Sequence, residues 1–295
     1  MPPAQARSFD LQGHRGARGL FPENTLEGFA AAAALGVATL ELDVGMTADD
    51  VVVVCHDPAL NPDLVRDAAG VWLPRRGPRL RELTLAELHH YDVGRPRPGS
   101  AYAAAFPEQV PRDGARIPTL SEVIQAVPQS RLNIELKTFP LQPDLTVDGA
   151  RLAEAVAAVA DACRAADRII VQSFDWRGPR YLRRARPDIA VAWLTRRETL
   201  AAAQVWWDGG DPEQYGGSVP RAVAAQGGPT WGPDFADLTE ATLAEAHALG
   251  LRVVPWTVNS PDDMRRLIRW GIDGLITDRP DLALQILQSE GLRSA

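Results

Sequence analysis

Side chains that could carry out acid-base chemistry are concentrated in one stretch of the sequence, residues 14–57. Two histidines, an arginine and several carboxylates lie there at the edges of short apolar runs, where β-strands would end. The side chains concerned are His14, Arg15, Glu23, Asn24, Glu41, Asp43, His56 and Asp57. Because functional residues are often carried at the ends of rigid elements, this grouping indicates an active site.

Two of these carboxylates share one face of a predicted strand. The run 40–44 is apolar apart from Glu41 and Asp43, and side chains alternate along a strand, so the two acids point the same way, about 7 Å apart. Neighbouring carboxylates repel and raise each other's pKa unless a cation lies between them. The pair therefore indicates a cation site, with a strand edge carrying two solvated acids as the alternative.

A short connection returns His56 to this pair. Seven residues separate Asp43 from the next apolar run, Val51–Cys55, whereas a parallel crossover needs about a dozen residues or more. We therefore predict an antiparallel hairpin that turns near residues 47–50 and brings His56 close to Glu41 and Asp43. A histidine beside the acidic pair favours the functional site over the exposed strand edge.

Length and composition restrict the class of protein. The chain has 295 residues and a net charge of −7, from 31 basic and 38 acidic side chains, with no run of Lys or Arg, so we expect no nucleic-acid partner. Residues 1–10 lack the features of a signal peptide, and no apolar run approaches the roughly 18 residues of a membrane span. Cys55 and Cys163 lack metal-type spacing and are interpreted as buried thiols. A cytoplasmic protein without a transmembrane segment is expected.

The chain otherwise alternates short apolar strands with helical patterns, as parallel βαβ units do. Apart from the hairpin arm, eight strands are predicted, at residues 9–14, 39–44, 132–137, 169–173, 189–194, 230–232, 253–257 and 275–277. Polar residues fall at or just past their ends, namely His14, Glu41, Asp43, Glu135, Lys137, Gln172, Trp256 and Asp278. Both patterns predict an α/β fold, a single (β/α)₈ TIM barrel over residues 1–295 with its active site at the carboxyl ends of the strands.

Three local patterns qualify this alternation. Residues 44–114 are rich in proline and helical only over 84–91, which predicts a small subdomain inserted after the second strand. Residues 198–228 are also irregular and contain a tryptophan pair, for which helix packing is favoured over substrate contact. Asn24, followed three residues later by a glutamate, is predicted to cap the first helix.

Short motifs, in order over nearly the whole chain, resemble those of the glycerophosphodiester phosphodiesterases. They are His14-Arg15-Gly16, Pro22-Glu23-Asn24-Thr25, Glu41-Leu42-Asp43, His56-Asp57, Ile117-Pro118-Thr119-Leu120, Ile134-Glu135-Leu136-Lys137, Gln172-Ser173-Phe174, Trp256-Thr257-Val258-Asn259 and Gly274-Leu275-Ile276-Thr277-Asp278-Arg279-Pro280. Members of that family are barrels with an insertion after the second strand. The resemblance implies hydrolysis of a glycerophosphodiester to sn-glycerol 3-phosphate and an alcohol. It also implies a metal held by Glu41, Asp43 and Glu135, with acid-base catalysis by His14 and His56.

The residue types agree with this chemistry. Three carboxylates without a cysteine ligand suit a hard divalent cation, Mg²⁺ or Ca²⁺, which neutralises charge on a phosphoryl group. Arg15 is expected to hold a phosphate through two hydrogen bonds, and Lys137 to add a point charge or to pair with Glu135. Two histidines can divide proton removal and delivery. Around these groups, Glu23, Asn24 and Gln172 are expected to contact the metal ligands rather than the metal, and Trp256 to form an apolar wall for the glycerol or alcohol.

Other functions compete with this interpretation. A metal-free glycosidase uses paired carboxylates but needs no histidines and cations beside them. A non-catalytic phosphodiester-binding protein would keep the cations yet gain nothing from two titrating histidines. A lysophospholipase-D-like phosphodiesterase needs an apolar groove, which residues 44–114 and 198–228 could build. The sequence leaves five points open. They are the leaving alcohol, the metal, the choice between direct water attack and a cyclic intermediate, the histidine that acts as the acid, and the oligomeric state, for which a homodimer is one expectation.

Overall fold

The computed structural model describes residues 8–294, and in this part of the chain eight parallel strands curl into a barrel with helices outside it. The strands are β1 (Ser8–Gly13), β2 (Thr39–Met46), β3 (Val52–Val54), β4 (Arg131–Leu136), β5 (Ile169–Ser173), β6 (Ala190–Thr195), β7 (Thr230–Pro233), β8 (Arg252–Val253), β9 (Gly274–Thr277) and β10 (Arg293–Ser294). The helices are α1 (Leu26–Ala34), α2 (Leu85–Leu88), α3 (Ala101–Ala105), α4 (Leu120–Ala126), α5 (Gly149–Ala162), α6 (Arg177–Ala185), α7 (Arg197–Ala201), α8 (Ala203–Trp206), α9 (Val219–Gln226), α10 (Glu240–Ala248), α11 (Pro261–Trp270) and α12 (Pro280–Ser289). The predicted (β/α)₈ fold is confirmed, with β3 and β10 as additional strands.

Backbone hydrogen bonds close the barrel between its first and last strands. The sheet runs in the order β1-β2-β4-β5-β6-β7-β8, and β9 pairs with β1, with Gln12 opposite Ile276. The N–H of Asp273 donates to the carbonyl of Val253, and the N–H of Ile276 donates to that of Pro255, both at 3.0 Å. These two hydrogen bonds connect the β8 segment to β9, so the barrel is closed.

Two local features shape this closure. β8 ends at Val253, earlier than the predicted 253–257, because Pro255 has no N–H to continue the ladder. At Gly274 the strands β9 and β1 approach so closely that a Cβ would lie 2.3 Å from the carbonyl oxygen of Asp10. Only glycine fits there, and this spacing allows β9 to pair with β1.

The predicted hairpin is present, and a segment outside the barrel follows it. β3 pairs antiparallel with β2, with Val44 opposite Val54, and the turn lies at residues 47–50 as expected. The segment beyond β3 has its own small hydrophobic core, formed by Val53, Leu60, Val65, Leu80, Leu88 and Ile117. Its helix α2 is shorter than the predicted 84–91, and helix α3 was not predicted, because four- and five-residue helices carry almost no periodic signal.

The second irregular region, 198–228, contains the short helices α7, α8 and α9, so the prediction of an irregular segment was partly wrong. Its tryptophan pair packs as predicted. Trp207 is fully buried and stacks on Trp176 with ring centroids 4.1 Å apart, while Trp206 is half-buried against the same core. No helix within residues 8–294 is long and apolar enough to cross a membrane.

Helix α1 begins one residue later than predicted. Its cap is Thr25, whose hydroxyl accepts a hydrogen bond from the N–H of Gly28 at 3.1 Å. Asn24 instead has a left-handed backbone with φ +54°. Its side chain therefore turns away from the helix and toward β2, so the capping role assigned to Asn24 was wrong.

Candidate active site

Three carboxylates meet at the carboxyl ends of β2 and β4. Glu41 and Asp43 alternate on β2, and the parallel register places Glu135 of β4 opposite Asp43. One oxygen from each carboxylate lies within 4.8 Å of the others, and all three side chains are buried. The shared strand face that spacing predicted for Glu41 and Asp43 therefore exists, and the neighbouring strand completes a set of three.

The electrostatics of this cluster fit a cation. Burial, followed by the charges of Asp43 and Glu135, raises the pKa of Glu41 well above its ordinary value. Burial alone would also raise the pKa of Asp43, but the charges of Arg15, His56 and Lys137 outweigh it and hold that pKa below its usual range. Among the described residues, the buried Oδ1 of Asp43 has no hydrogen-bond partner. An oxygen-only donor set with one unsatisfied acceptor suits a hard divalent ion.

Amide groups orient these carboxylates. The Nδ2 group of Asn24 donates to Asp43 Oδ2 at 3.0 Å, and the Nε2 group of Gln172 donates to Glu41 Oε1 at 3.3 Å. The backbone N–H of Arg15 donates to the other oxygen of Glu41 at 3.0 Å. Asn24 and Gln172 thus contact two of the three clustered carboxylates.

Two cations flank the acidic cluster. Lys137 Nζ lies 2.7 Å from Glu135 Oε1 and 3.6 Å from Asp43 Oδ1, so its ion pair with Glu135 is present. Arg15 Nε lies 3.2 Å from Asp43 Oδ2, and its NH1 group pairs with Glu23 at 2.9 Å. Glu23 therefore contacts a cation of the site rather than one of the three clustered carboxylates.

His14 is held by an aspartate from the other end of the chain. Its Nδ1 atom lies 2.6 Å from Asp278 Oδ1, and Asp278 also accepts two bonds from Arg18 and one from Asn259. Because the carboxylate only accepts, Nδ1 carries the proton and Nε2 is left free, 3.9 Å from Glu41 Oε2. Burial lowers the pKa of His14, against the opposing effect of Asp278. Neutral His14 can thus accept a proton at Nε2.

The sequence did not predict the roles of Asp278 and Arg18. The position of Asp278 just after β9, among the polar residues at strand ends, was a signal that it belongs to the site. Nothing in the local sequence indicated that it would meet His14, which lies 264 positions away. Arg18 carried no signal, because its loop has no periodic structure.

His56 returns to the site at the end of the hairpin, as predicted. Its Nδ1 atom lies 2.8 Å from Asp57 Oδ1, and Asn61 donates to the other oxygen of Asp57 at 2.7 Å. Burial alone would raise the pKa of Asp57, but the hydrogen bond from His56 helps to lower it to about 2. The N–H of Cys55, the residue before His56, donates to the carbonyl of Asp43 at 2.9 Å, so the end of the hairpin lies beside the acidic cluster. Both histidines therefore adjoin the acidic cluster.

An aromatic pair lies beyond the strand ends on another side of the barrel. Trp256 and Phe174 meet edge to face with centroids 5.3 Å apart, and the indole N–H of Trp256 donates to the carbonyl of Gly232 at 3.0 Å. Both rings are half-buried, and the guanidinium of Arg196 lies 5.0 Å above Phe174. The pair can form an apolar wall, which is the part predicted for Trp256.

The site combines a buried carboxylate cluster, cations and two histidines at the strand ends of a closed (β/α)₈ barrel. These groups define the class of the phosphoric diester hydrolases with a barrel fold. Comparison with known proteins makes this more specific. The profile of the glycerophosphoryl diester phosphodiesterase family matches residues 14–282. The chain therefore belongs to that family of enzymes.

Individual relatives agree over nearly the full length. The chain is 30% identical to Probable glycerophosphodiester phosphodiesterase 2 of Mycobacterium tuberculosis, covering 94% of this chain and 90% of the relative. It is 38% identical to a solved protein of Silicibacter pomeroyi, provisionally assigned as a glycerophosphoryl diester phosphodiesterase, with a TM-score of 0.89 and coverage of 99% and 97%. An Oleispira antarctica phosphodiesterase, solved with sn-glycerol-3-phosphate, shares the fold at 21% identity, a TM-score of 0.70 and coverage of 95% and 96%.

Proposed function

We propose that the protein hydrolyses glycerophosphodiesters to sn-glycerol 3-phosphate and an alcohol, with Mg²⁺ or Ca²⁺ held by Glu41, Asp43 and Glu135. The observation that carries the proposal is the buried group of three carboxylates, with an unsatisfied Asp43 oxygen. The Oleispira antarctica relative, solved with the product sn-glycerol-3-phosphate, supports the same product for this chain. When bound, the ion would neutralise charge on the transferring phosphoryl group.

The protein's own residues supply charge and protons. We propose that Arg15 and Lys137 face the non-bridging phosphate oxygens and that Trp256 lies against the glycerol or alcohol. His14, neutral and with Nε2 free, suits the base that removes a proton from the nucleophile, and His56 suits the acid that protonates the leaving oxygen. The nucleophile is either water or the neighbouring 2-hydroxyl, whose attack benefits from effective molarity. On the second route the alcohol leaves and a cyclic glycerol phosphate forms, which water must then open to give sn-glycerol 3-phosphate.

We also propose that the insertion faces the leaving group. A pocket beside His56 is lined by residues of the insertion and of the β1–α1 loop, among them Asn24, Leu60, Val93 and Tyr102. We propose that residues 44–114, within one catalytic domain of residues 1–295, shape the site for the alcohol. The unpaired thiols Cys55 and Cys163 support a cytoplasmic location. The expected homodimer stays a prediction, which light scattering would test.

A substrate panel tests the function. Glycerophosphocholine, glycerophosphoethanolamine, glycerophosphoinositol and a lysophospholipid are assayed with Mg²⁺ and with Ca²⁺. The phosphomonoester product is measured, which is sn-glycerol 3-phosphate from the first three and lysophosphatidic acid from the lysophospholipid. We expect release of sn-glycerol 3-phosphate from the first three substrates. This release should be lost in excess EDTA and in the Glu41→Gln variant. Preference for the lysophospholipid would favour the lysophospholipase-D-like alternative. Full activity in excess EDTA would exclude the metal site. Binding of the diesters without turnover would indicate a non-catalytic binding protein.

A further inference from the structure

We infer that the segment Tyr102–Val110 of the insertion, here called the clamp, is a positioning element of the catalytic site. The clamp contacts the loop between β1 and α1, residues 14–25, which carries His14 and Arg15. It reaches that loop by two separate routes, one leading to the carboxylate cluster and one leading to His14. This inference rests on the proposed function for its kinetic consequences, but its structural consequence does not depend on activity.

The first route starts at Tyr102. Its hydroxyl donates to Glu23 Oε2 at 2.5 Å, and the other oxygen of Glu23 accepts from Arg15 at 2.9 Å. Arg15 in turn lies 3.2 Å from Asp43 through Nε and donates its backbone N–H to Glu41. The side chains of Glu23 and Arg15 are each only 10% exposed, so little water competes for these bonds. Tyr102 thus fixes Glu23, and Glu23 fixes Arg15 against two carboxylates of the cluster.

The second route passes through Arg18. Gln109 donates to the backbone carbonyl of Arg18 at 2.7 Å, and the ring of Phe106 lies 4.6 Å below the Arg18 guanidinium. That guanidinium donates two bonds to Asp278, at 2.9 and 3.0 Å, and Asp278 holds Nδ1 of His14. The clamp therefore helps to determine the orientation of the His14 ring.

The loop itself requires outside support. Arg15 has a left-handed backbone with φ +51°, a conformation that is unfavourable for most residues with a Cβ, whereas Asn24, with φ +54°, is of a residue type that tolerates it. Such conformations persist only where the surroundings hold them. The clamp adds a main-chain bond for this purpose, from the N–H of Val110 to the carbonyl of Leu20 at 2.8 Å. The insertion is thus part of the reaction's positioning machinery as well as a cover for the alcohol.

Two single substitutions test the clamp in the full-length protein. Tyr102→Phe removes one hydroxyl and keeps the ring that packs 4.8 Å from Phe106, and Gln109→Leu removes the bond to Arg18. The matched controls are Tyr91→Phe, whose ring packs on the insertion's own core, and Gln125→Leu on the exposed surface of α4. Kinetics on glycerophosphocholine and hydrogen exchange of peptides covering residues 14–25 are measured for all four variants.

The clamp predicts a fall in kcat of about 10-fold in Tyr102→Phe, because its hydroxyl bonds to a charged carboxylate, and of roughly 2- to 10-fold in Gln109→Leu, because its partner is a neutral carbonyl. KM should stay within about 2-fold in both. Exchange in residues 14–25 should be faster in both variants and unchanged in both controls. A rise in KM alone would overturn the inference in favour of direct substrate contact. Unchanged kcat and unchanged exchange would also overturn it. If the wild type cleaves no diester but exchange is still faster in both variants than in the wild type, the proposed function is refuted and the clamp stands.

Discussion

At the scale of single residues, His14 and His56 differ in their surroundings, and this difference separates their roles. His14 is nearly buried, and burial lowers its pKa, so the neutral form persists to a lower pH than for an ordinary histidine. A cation held by Glu41 would act in the same direction. His56 is about a third exposed and hydrogen-bonded to Asp57. The proton acceptor is therefore expected at His14.

The histidine pair leads to a kinetic prediction. His14→Ala and His56→Ala should each lower turnover on the natural diester by on the order of 10²-fold, with metal binding largely kept. On a p-nitrophenyl phosphodiester, whose leaving group is already acidic, His56→Ala should recover most activity and His14→Ala should not. Near wild-type turnover of both variants on glycerophosphocholine would contradict the two-histidine mechanism.

The pH dependence follows from the same assignment. Activity that requires neutral His14 is lost as pH falls through its lowered pKa, so the acid limb of kcat/KM should lie below the ordinary value of 6.5. In the variant Asp278→Asn the carboxylate that favours the charged imidazole is gone, and the remaining acid limb should move further down. A limb above 6.5 in the wild type would show that His14 is not the base.

At the scale of elements, a chain of hydrogen bonds crosses the barrel interior and ends at the carboxylate cluster. Asp10 accepts from the amide of Gln12 at 2.9 Å, and the Gln12 oxygen accepts from Asn133 at 2.7 Å. Asn133 also donates to Gln172 at 2.9 Å, and Gln172 donates to Glu41. Because a carboxylate only accepts, Asp10 on β1 sets the orientation of each amide in turn. Four strands thus cooperate to present a donor to Glu41.

Removing the middle of this chain should weaken both the fold and the metal site. Asn133→Leu leaves the oxygens of Gln12 and Gln172 buried without donors, at a cost of about 1–3 kcal/mol each. Metal affinity measured by calorimetry should fall on the order of 10-fold, because Gln172 is no longer held toward Glu41. Gln125→Leu, the same kind of exchange on an exposed helix, should change neither quantity. An unaltered metal affinity in folded Asn133→Leu would show that the chain only stabilises the barrel.

At the scale of the whole molecule, the charges of the site connect folding to pH. Asp57 has a folded pKa of about 2, against an ordinary value of 3.8, so its interactions stabilise the fold above pH 4 and are lost as pH falls toward 2. Glu41 has the opposite sign, because its raised pKa makes protonation favour the folded state. Stability should therefore hold between neutral and weakly acid pH and fall steeply below about pH 4.

Chemical unfolding as a function of pH measures this linkage. Asp57→Asn should lose at most about 2.5 kcal/mol of unfolding free energy at pH 6, and the difference from wild type should shrink toward pH 2, as expected for a shift of nearly two pKa units. Asp144→Asn, on an exposed loop, provides the control. A difference that stays constant with pH would mean that the substitution acts through packing rather than through charge.

The sequence by itself determined the features that depend on local backbone geometry. Alternation along β2 placed Glu41 and Asp43 on one face, and a connection of seven residues required the hairpin that returns His56. The repetition of strand and helix predicted eight parallel strands, which the structure contains. Patterns failed where elements are shortest, as at α3, or where two polar neighbours competed for one role, as with Asn24 and Thr25 at the start of α1.

Tertiary structure alone decided the contacts between segments far apart in the chain. Asp278 reaches His14 because closure of the barrel places β9 beside β1, and Tyr102 reaches Glu23 because the insertion folds back over the β1–α1 loop. Neither contact has a period or a spacing in the sequence. Each depends on how segments far apart in the chain pack together, and packing is set by the sum of many weak contacts across the whole core rather than by neighbours along the chain.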